Sequence, residues 1–377
     1  MQRRPSGPPG RAAAGNPRDT SPSSGPPTVG GSRRTGERDG HHPHPAHGGP
    51  DPRAGHLELP ELLRRDEHGQ EALPRLRHLP LVAPAARTAA LTRPGAAGTG
   101  AATGTGTSVT VGRVSAITRN CVRVSGPASA RPMLLAHGFG CDQAMWRAVE
   151  PDLATDHRVV TFDHVGSGSS DLAAYDPQRY RNLAGYADDV VDICRELGLR
   201  DVVFVGHSVS AMIGVLAVHR APELFGALVM VGPSPRYVDD EGYTGGFSRA
   251  DVAALLDSLD SDPDQWSAVL APVVAGPANP ATAAELARSF CRTDPEVARQ
   301  FARVTFLSDN RADLPGVRVP TLVLQCTDDS IAPEAVGRYV HERVPGSVFT
   351  KLAATGHCPH LSAPEETVAA IRAFLRA

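Results

Sequence analysis

The chain has 377 residues, a formal net charge of −3 and 41% hydrophobic residues. This length accommodates one large domain or two modest ones, and it buries an ample core without disulfides or structural metal ions. The small net charge gives no special attraction to nucleic acid or membrane surfaces. The six cysteines are scattered without a C-x-x-C pair, and no apolar run approaches the ~18 residues of a transmembrane helix. We therefore expect a cytoplasmic protein with reduced thiols, no bound metal and no cofactor.

The first 112 residues differ in composition from the rest of the chain. They are dominated by Gly, Pro, Ala, Arg and Ser, in tracts such as "RRPSGPPGRAAAG" and "AAGTGAATGTGT". Such a segment cannot bury enough apolar surface to offset the entropy that ordering would cost. The composition predicts a disordered extension over 1–112.

From residue 113 onward, predicted strands alternate with predicted helices. A helix is predicted over 186–198, where apolar residues recur at helical spacing on one face. Short runs rich in Val, Leu and Phe read as buried strands: 133–138, 159–164, 202–206, 226–232, 321–326 and 348–353. This alternation indicates the α/β class, with a mostly parallel central sheet and helices on both faces.

Residues 235–316 interrupt the alternation with four amphipathic helical segments. In the last of them, Asp294 is the expected N-cap and Pro295 the first helical residue. The segment is predicted to be a helical insertion, a lid, in a core built from 113–234 and 317–377. The final helix is expected to begin with a capping box at Ser362.

The stretch "VVFVGHSVSAMIGV" at 202–215 reads as a buried strand, a tight turn and an apolar helix. Nucleophilic serines occupy such a turn in the pattern G-x-S-x-G. Here the fifth position is Ser210 instead of glycine. We predict that Ser208 is a catalytic nucleophile; the alternative is a serine that only begins a helix.

A serine hydroxyl needs a histidine to take its proton and a carboxylate to orient that histidine. Both follow Ser208 at predicted strand ends: an acidic pair, Asp328 and Asp329, and then His357. Either aspartate could supply the carboxylate, because adjacent residues at a strand end point to opposite sides. His360 lies closer to the final helix and is expected to be structural.

Acyl transfer also requires hydrogen-bond donors for the developing oxyanion. The expected donors are the backbone N–H groups of Val209, which follows the nucleophile, and of Phe139 in "HGFG". His137 and His207 flank this site and are expected to serve packing or hydrogen bonding. The glycine-rich "VGSGSSD" at 165–171 lacks the third glycine of a dinucleotide fingerprint and is expected to be a structural turn.

From about residue 113 to its end, the chain resembles the RsbQ-like α/β-hydrolases. These are regulators of the bacterial sigma-B energy-stress pathway, in the same family as the plant strigolactone and karrikin receptors. The stretches that carry the resemblance are "HGFGCDQAMW", "FDHVGSGSSDL", "VFVGHSVSAMIG", "VMVGPSPRY", "GGFSRADV", "SFCRTDPEVARQFA", "LQCTDDSIAP" and "GHCPHLSAP".

The resemblance implies the α/β-hydrolase fold with a four-helix lid over a small apolar pocket. It implies a triad of Ser208, Asp329 and His357, since the family's acid lies four residues before the proline found here at Pro333. It also implies hydrolysis of a small hydrophobic ester or lactone, and a PAS-domain phosphatase as partner in stress signalling. The alternatives are a ligand receptor with incidental turnover and a metabolic esterase unrelated to signalling.

Overall fold

A mostly parallel sheet organises the part of the chain that the structure, a computed structural model, describes. The described residues are 114–377. The disordered extension predicted for 1–112 lies outside them, so that prediction is untested. The mostly parallel sheet predicted from the sequence is present.

The sheet has seven strands in the order β1-β3-β2-β4-β5-β6-β7. Only β1 is antiparallel to its neighbour, β3. This short edge strand was not predicted from the sequence. The strands are β1 (Arg123–Ser125), β2 (Pro132–Ala136), β3 (Arg158–Phe162), β4 (Val202–His207), β5 (Phe225–Val231), β6 (Thr321–Asp328) and β7 (Val348–Thr355).

The central strands are apolar along their whole length because both faces of the sheet are covered. Successive side chains point to opposite faces, so Met133 and Leu135 of β2 join one apolar cluster while Leu134 and Ala136 join another. All four are fully buried. The core therefore consists of two layers, and the carboxyl ends of the parallel strands meet at one edge.

Eleven α-helices accompany the sheet within the described residues. They are α1 (Ala116–Arg119), α2 (Glu150–Leu153), α3 (Leu183–Glu196), α4 (Val209–Arg220), α5 (Arg249–Ser261), α6 (Pro263–Ala275), α7 (Pro280–Phe290), α8 (Pro295–Phe306), α9 (Glu334–Arg343), α10 (Pro359–Ser362) and α11 (Pro364–Arg376). None of these described helices is both long and apolar enough to cross a membrane.

Helices α5 to α8 follow one another between β5 and β6. Asp294 caps α8 by accepting hydrogen bonds from the N–H groups of Glu296 and Val297, and Pro295 is its first residue. Trp266 and Phe306 from these helices belong to the same apolar cluster as one face of the central strands. The insertion is therefore packed on the sheet layer through large aromatic side chains.

The capping box predicted at Ser362 is wrong. Ala363 is the N-cap residue of α11 and offers no side-chain cap. The Ser362 hydroxyl donates instead to the carbonyls of Thr355 and Cys358, both at 3.3 Å. Those carbonyls bracket the loop after β7, so Ser362 stabilises that loop and not the helix.

Candidate active site

Ser208 occupies a strained turn between β4 and α4. Its backbone angles are φ 58° and ψ −123°, a region that residues with side chains rarely enter. The turn is tight: a Cβ at Gly206 would lie 2.3 Å from the carbonyl oxygen of Ser210. Glycine at 206 lets the helix leave the strand this sharply, and the turn presents Ser208 at the carboxyl edge of the sheet.

Asp329 and His357 meet at the same edge, from the loops after β6 and β7. The Asp329 Oδ2 atom lies 2.7 Å from His357 Nδ1, and both side chains are buried. The other oxygen of Asp329 accepts the N–H groups of Ile331 and Ala332, both at 2.9 Å. Since a carboxylate cannot donate, His357 carries its proton on Nδ1 and leaves Nε2 free to accept one. Asp328, the other candidate from the sequence, is exposed.

Two hydrogen bonds fix the backbone of His357, and a glycine lies against its ring. Its N–H donates to the carbonyl of Val274 near the end of α6 at 2.7 Å, and its carbonyl accepts from His207 Nε2 at 2.9 Å. A Cβ at Gly232, which has φ +57°, would lie 3.1 Å from His357 Cε1. The imidazole is thus held by the nucleophile strand, by the insertion and by a glycine that leaves room for it.

Ser208 Oγ lies 3.1 Å from the hydroxyl of Tyr237, with which it shares a hydrogen bond. His357 Nε2 is buried and has no hydrogen-bond partner among the described residues. The three predicted triad residues therefore lie around one site, but the Ser208–His357 bond is not formed in this structure. Such bonds are often long or absent before substrate binds.

Tyr237 was not identified as a site residue from the sequence. It is 1% exposed, and burial raises the pKa of its hydroxyl to about 12, so it is protonated at neutral pH. It lies in the loop after β5, the strand beside β4 in the sheet. A polar side chain in a loop next to the nucleophile's strand end is the signal that could have revealed it.

The two expected oxyanion donors lie on either side of Ser208 in the fold. Val209 is the first residue of α4, so its N–H has no acceptor within the helix. Phe139 follows Gly138, where an added Cβ would lie 3.3 Å from Ser208 Cβ and 2.6 Å from His207 Nδ1. The "HGFG" loop therefore passes close beside Ser208, and a side chain at 138 would not fit there.

A cavity of about 250 Å³ lies beside Phe139, among the helices of the insertion. It is lined by Phe139, Gly140, Leu259, Pro263, Asp264, Trp266, Phe290, Cys291, Thr293, Pro295 and Ala298. Trp266 and Phe290 are the aromatic residues of the insertion that contribute to this lining. The cavity is mostly apolar and is at the small end of ligand-binding sites.

Behind the site, His207, Cys358 and His360 are buried with their potential metal-ligating atoms within 4.8 Å of one another. His207 Nε2 already donates to the His357 carbonyl, so a metal ion here would displace a bond that holds His357. Burial lowers the pKa of His207 well below its usual value and that of His360 to about 3. Both imidazoles are neutral packing groups at neutral pH.

The glycine-rich turn after β3 folds around the side chain of Asp163. The carboxylate of Asp163 accepts the N–H groups of Gln143 and Ser169, both at 2.8 Å. A Cβ at Gly168 would lie 2.5 Å from the same carboxylate. The expectation of a structural turn is confirmed.

A serine on a strained strand-to-helix turn, beside an aspartate–histidine pair from two later strand ends, is typical of serine hydrolases built on a parallel sheet. The sequence model of the alpha/beta hydrolase family matches residues 133–370. The chain belongs to this family of enzymes.

Named relatives are similar over nearly their whole length. A strigolactone esterase of Arabidopsis thaliana is 38% identical over 255 residues, 67% of this chain and 95% of that protein. A karrikin insensitive 2 receptor of Petunia hybrida is 38% identical over 63% of this chain and 88% of that protein. Among solved structures, a hydrolase from Oleispira antarctica superposes with a TM-score of 0.68 at 38% identity, covering 69% of this chain and 96% of that one.

Proposed function

We propose that the protein is a serine hydrolase that cleaves a small hydrophobic ester or lactone through an acyl-enzyme on Ser208. The observation that carries this proposal is the 2.7 Å bond between Asp329 and His357 beside the strained turn of Ser208. The aspartate fixes the tautomer in which His357 Nε2 accepts a proton. In that tautomer, His357 Nε2 is buried, has no hydrogen-bond partner among the described residues and can act as a base. Rotation of Ser208 about χ1 brings its hydroxyl to this nitrogen as the proton donor.

In the first half of the reaction, Ser208 Oγ attacks the ester carbonyl carbon while its proton passes to His357 Nε2. The carbonyl π electrons move to the oxygen, which the N–H groups of Phe139 and Val209 stabilise. When the tetrahedral intermediate collapses, the bond to the leaving alkoxide breaks, and His357 donates its proton to that oxygen. The products of this half are the free alcohol and the acyl-Ser208 ester.

In the second half, His357 Nε2 takes a proton from water, whose oxygen attacks the acyl carbon. Collapse of this second intermediate breaks the bond to Ser208 Oγ, which recovers the proton from His357. A carboxylic acid leaves and the resting enzyme returns. The mostly apolar cavity of about 250 Å³ supports a small hydrophobic substrate; it reaches the site through Phe139, and Ser208, Asp329 and His357 do not line it.

A fluorophosphonate probe tests the nucleophile directly. The wild-type protein is expected to form one adduct, on Ser208 by peptide mapping, and to hydrolyse p-nitrophenyl butyrate. The Ser208→Ala variant should lose both the adduct and the turnover. Equal labelling of the variant would show that another residue is the nucleophile.

We propose further that this chemistry serves stress signalling, with the protein as a sigma-B-type positive regulator and a PAS-domain phosphatase as partner. The support is the resemblance of the motifs to RsbQ-like proteins. Reconstitution with a PAS-domain phosphatase from the same organism tests it: the wild-type protein should raise phosphatase activity, and no change would contradict the signalling role.

A second candidate function, a ligand receptor whose turnover is incidental, is favoured by one contact. The N–H of His357 donates to the carbonyl of Val274 in α6, so the insertion is bonded directly to the loop of the candidate base. A ligand that moved α6 would therefore also move His357. If Ser208→Ala activated the partner as fully as the wild-type protein, binding would suffice and the receptor function would be supported.

A further inference from the structure

Ser210 lies two residues beyond the candidate nucleophile, where the G-x-S-x-G pattern has no side chain. It is 0% exposed. Its hydroxyl lies 2.5 Å from the carbonyl oxygen of His137 and 2.8 Å from His164 Nε2. His137 follows β2 and His164 follows β3, so one buried hydroxyl on α4 joins the carboxyl ends of two neighbouring strands.

The protons of this cluster have one consistent arrangement. A carbonyl can only accept, so Ser210 donates to His137, and His164 Nε2 must then donate to Ser210. The N–H of His164 donates to His137 Nε2 at 3.0 Å. His137 therefore carries its proton on Nδ1, which donates to the carbonyl of Gly138 at 2.9 Å. Four hydrogen bonds thus link Ser210, His164 and His137 to the "HGFG" loop.

Both imidazoles are buried, and burial lowers the pKa of each below its usual value. Each imidazole is therefore neutral at neutral pH, as this arrangement requires. The two rings also contact each other edge to face, with centroids 4.6 Å apart. The His137 ring cannot turn over without losing its bonds to the N–H of His164 and the carbonyl of Gly138. The His164 ring cannot turn over without losing its bond to Ser210.

The cluster acts on the backbone that precedes Phe139. The carbonyl of Gly138 and the N–H of Phe139 belong to one planar trans peptide unit, so they point in opposite directions. The hydrogen bond from His137 Nδ1 orients the Gly138 carbonyl, and it therefore also orients the N–H of Phe139. Ser210 fixes the preceding peptide unit through the carbonyl of His137.

We propose that Ser210, through His164 and His137, is a positioning residue that aims the Phe139 N–H at the developing oxyanion. This inference rests on the proposed hydrolase function. Ser210 touches neither substrate nor Ser208; its effect is on the peptide plane of the donor. The hydroxyl thus does more than occupy the place of a glycine: it ties the oxyanion loop to the helix that carries the nucleophile.

The first experiment compares Ser210→Ala and Ser210→Gly with the wild-type enzyme on p-nitrophenyl butyrate. We expect kcat to fall on the order of tenfold with KM nearly unchanged, since a misaimed oxyanion donor weakens the transition state alone. The affinity for an alkyl boronic acid, which forms a tetrahedral adduct on Ser208, should fall by a similar factor. The control is Thr367→Val in α11, which removes another fully buried hydroxyl, bonded to the carbonyl of Ala363, and should leave kcat unchanged.

The second experiment separates the positioning role from a general loss of packing. In His137→Asn the amide nitrogen takes the place of Nδ1 and can still donate to the Gly138 carbonyl. In His137→Gln the amide oxygen can take the place of Nε2 and accept the N–H of His164, but the donor to the Gly138 carbonyl is lost. We expect the asparagine variant to retain more kcat than the glutamine variant at similar thermal stability. Equal losses in both variants would overturn the inference.

The outcomes distinguish this inference from the proposed function. If the wild-type protein shows no turnover that depends on Ser208, the proposed function itself fails. If turnover depends on Ser208 but Ser210→Ala keeps kcat and boronate affinity, only the positioning role is overturned. A folding defect in Ser210→Ala would lower its melting temperature. In that case the comparison of His137→Asn with His137→Gln tests the positioning role.

Discussion

The hydroxyl of Ser208 is 3.1 Å from the hydroxyl of Tyr237, while the nitrogen that should take its proton, His357 Nε2, has no partner among the described residues. In this structure the candidate nucleophile, Ser208, is therefore hydrogen-bonded to a neutral tyrosine. The hydroxyl must leave Tyr237 to meet His357. We therefore expect Tyr237 to control the rate at which Ser208 reacts.

Tyr237→Phe should speed the reaction of Ser208. The variant keeps the ring, which packs on Phe306 with centroids 5.1 Å apart, and removes only the hydroxyl. A neutral hydrogen bond contributes about 1 kcal/mol, so we expect fluorophosphonate labelling up to about fivefold faster. The rate of adduct formation by intact-mass spectrometry is the measurement. Slower labelling would show that the tyrosine assists attack instead of restraining the serine.

Asp329 and Asp328 form a matched pair for testing the carboxylate. Asp329→Asn would remove the acceptor that fixes the tautomer of His357, and a drop in kcat of about 10⁴-fold is expected from the equivalent loss in serine proteases. Asp328→Asn changes an exposed neighbour and should leave kcat within twofold. Ester hydrolysis at pH 7.5 compares the two variants. Equal losses would contradict the assignment of Asp329.

Alanine variants at Gly232 and Gly346 distinguish the effect of backbone strain from the effect of contact with the site. Both have positive φ, +57° and +70°, so alanine at either should cost about 1–2 kcal/mol of unfolding free energy. A Cβ at 346 meets nothing within 4 Å, whereas one at 232 lies 3.1 Å from His357 Cε1. We therefore expect Gly232→Ala alone to lower kcat. Urea unfolding and ester hydrolysis measured on both variants check this, and equal activities would contradict it.

Acid should destabilise the fold through its buried histidines. The pKa of His360 is about 3 in the folded protein, because of burial, against 6.5 for an unperturbed imidazole. Below pH 6.5 the unfolded chain binds a proton that the folded protein does not, so stability falls as pH falls, until about pH 3. His137, His164 and His207 have pKa values lowered in the same direction.

His360→Phe should remove part of this acid sensitivity while keeping a ring against Trp146. One such histidine accounts for about 1.4 kcal/mol between pH 7.5 and pH 5.5. We expect the difference in unfolding free energy between these two pH values to shrink by about that amount. The same difference in wild type and variant, measured by urea titration, would show that His360 is not the group responsible.

Much of the fold follows from local patterning. Each predicted buried strand from residue 133 onward is present, because runs of Val, Leu and Phe fit only a sheet covered on both faces. Asp294 and Pro295 begin α8 as expected, since capping depends on neighbours along the chain. Ser362 does not cap the final helix as expected. Its hydroxyl donates instead to the carbonyls of Thr355 and Cys358, which the folded loop brings to it.

The sequence by itself predicted a strand-to-helix turn at Ser208, strand ends before Asp329 and His357, and helical segments over 235–316, because each of these local elements depends on residues close together in the chain. The residues alone left Asp328 and Asp329 open, and the family resemblance favoured Asp329; in the structure Asp329 faces His357 and Asp328 is exposed. The contact of Tyr237 with Ser208 and the roles of Ser210, His164 and His137 needed tertiary structure. These residues belong to different strand ends, and only the order of strands in the sheet brings their polar atoms within hydrogen-bond distance.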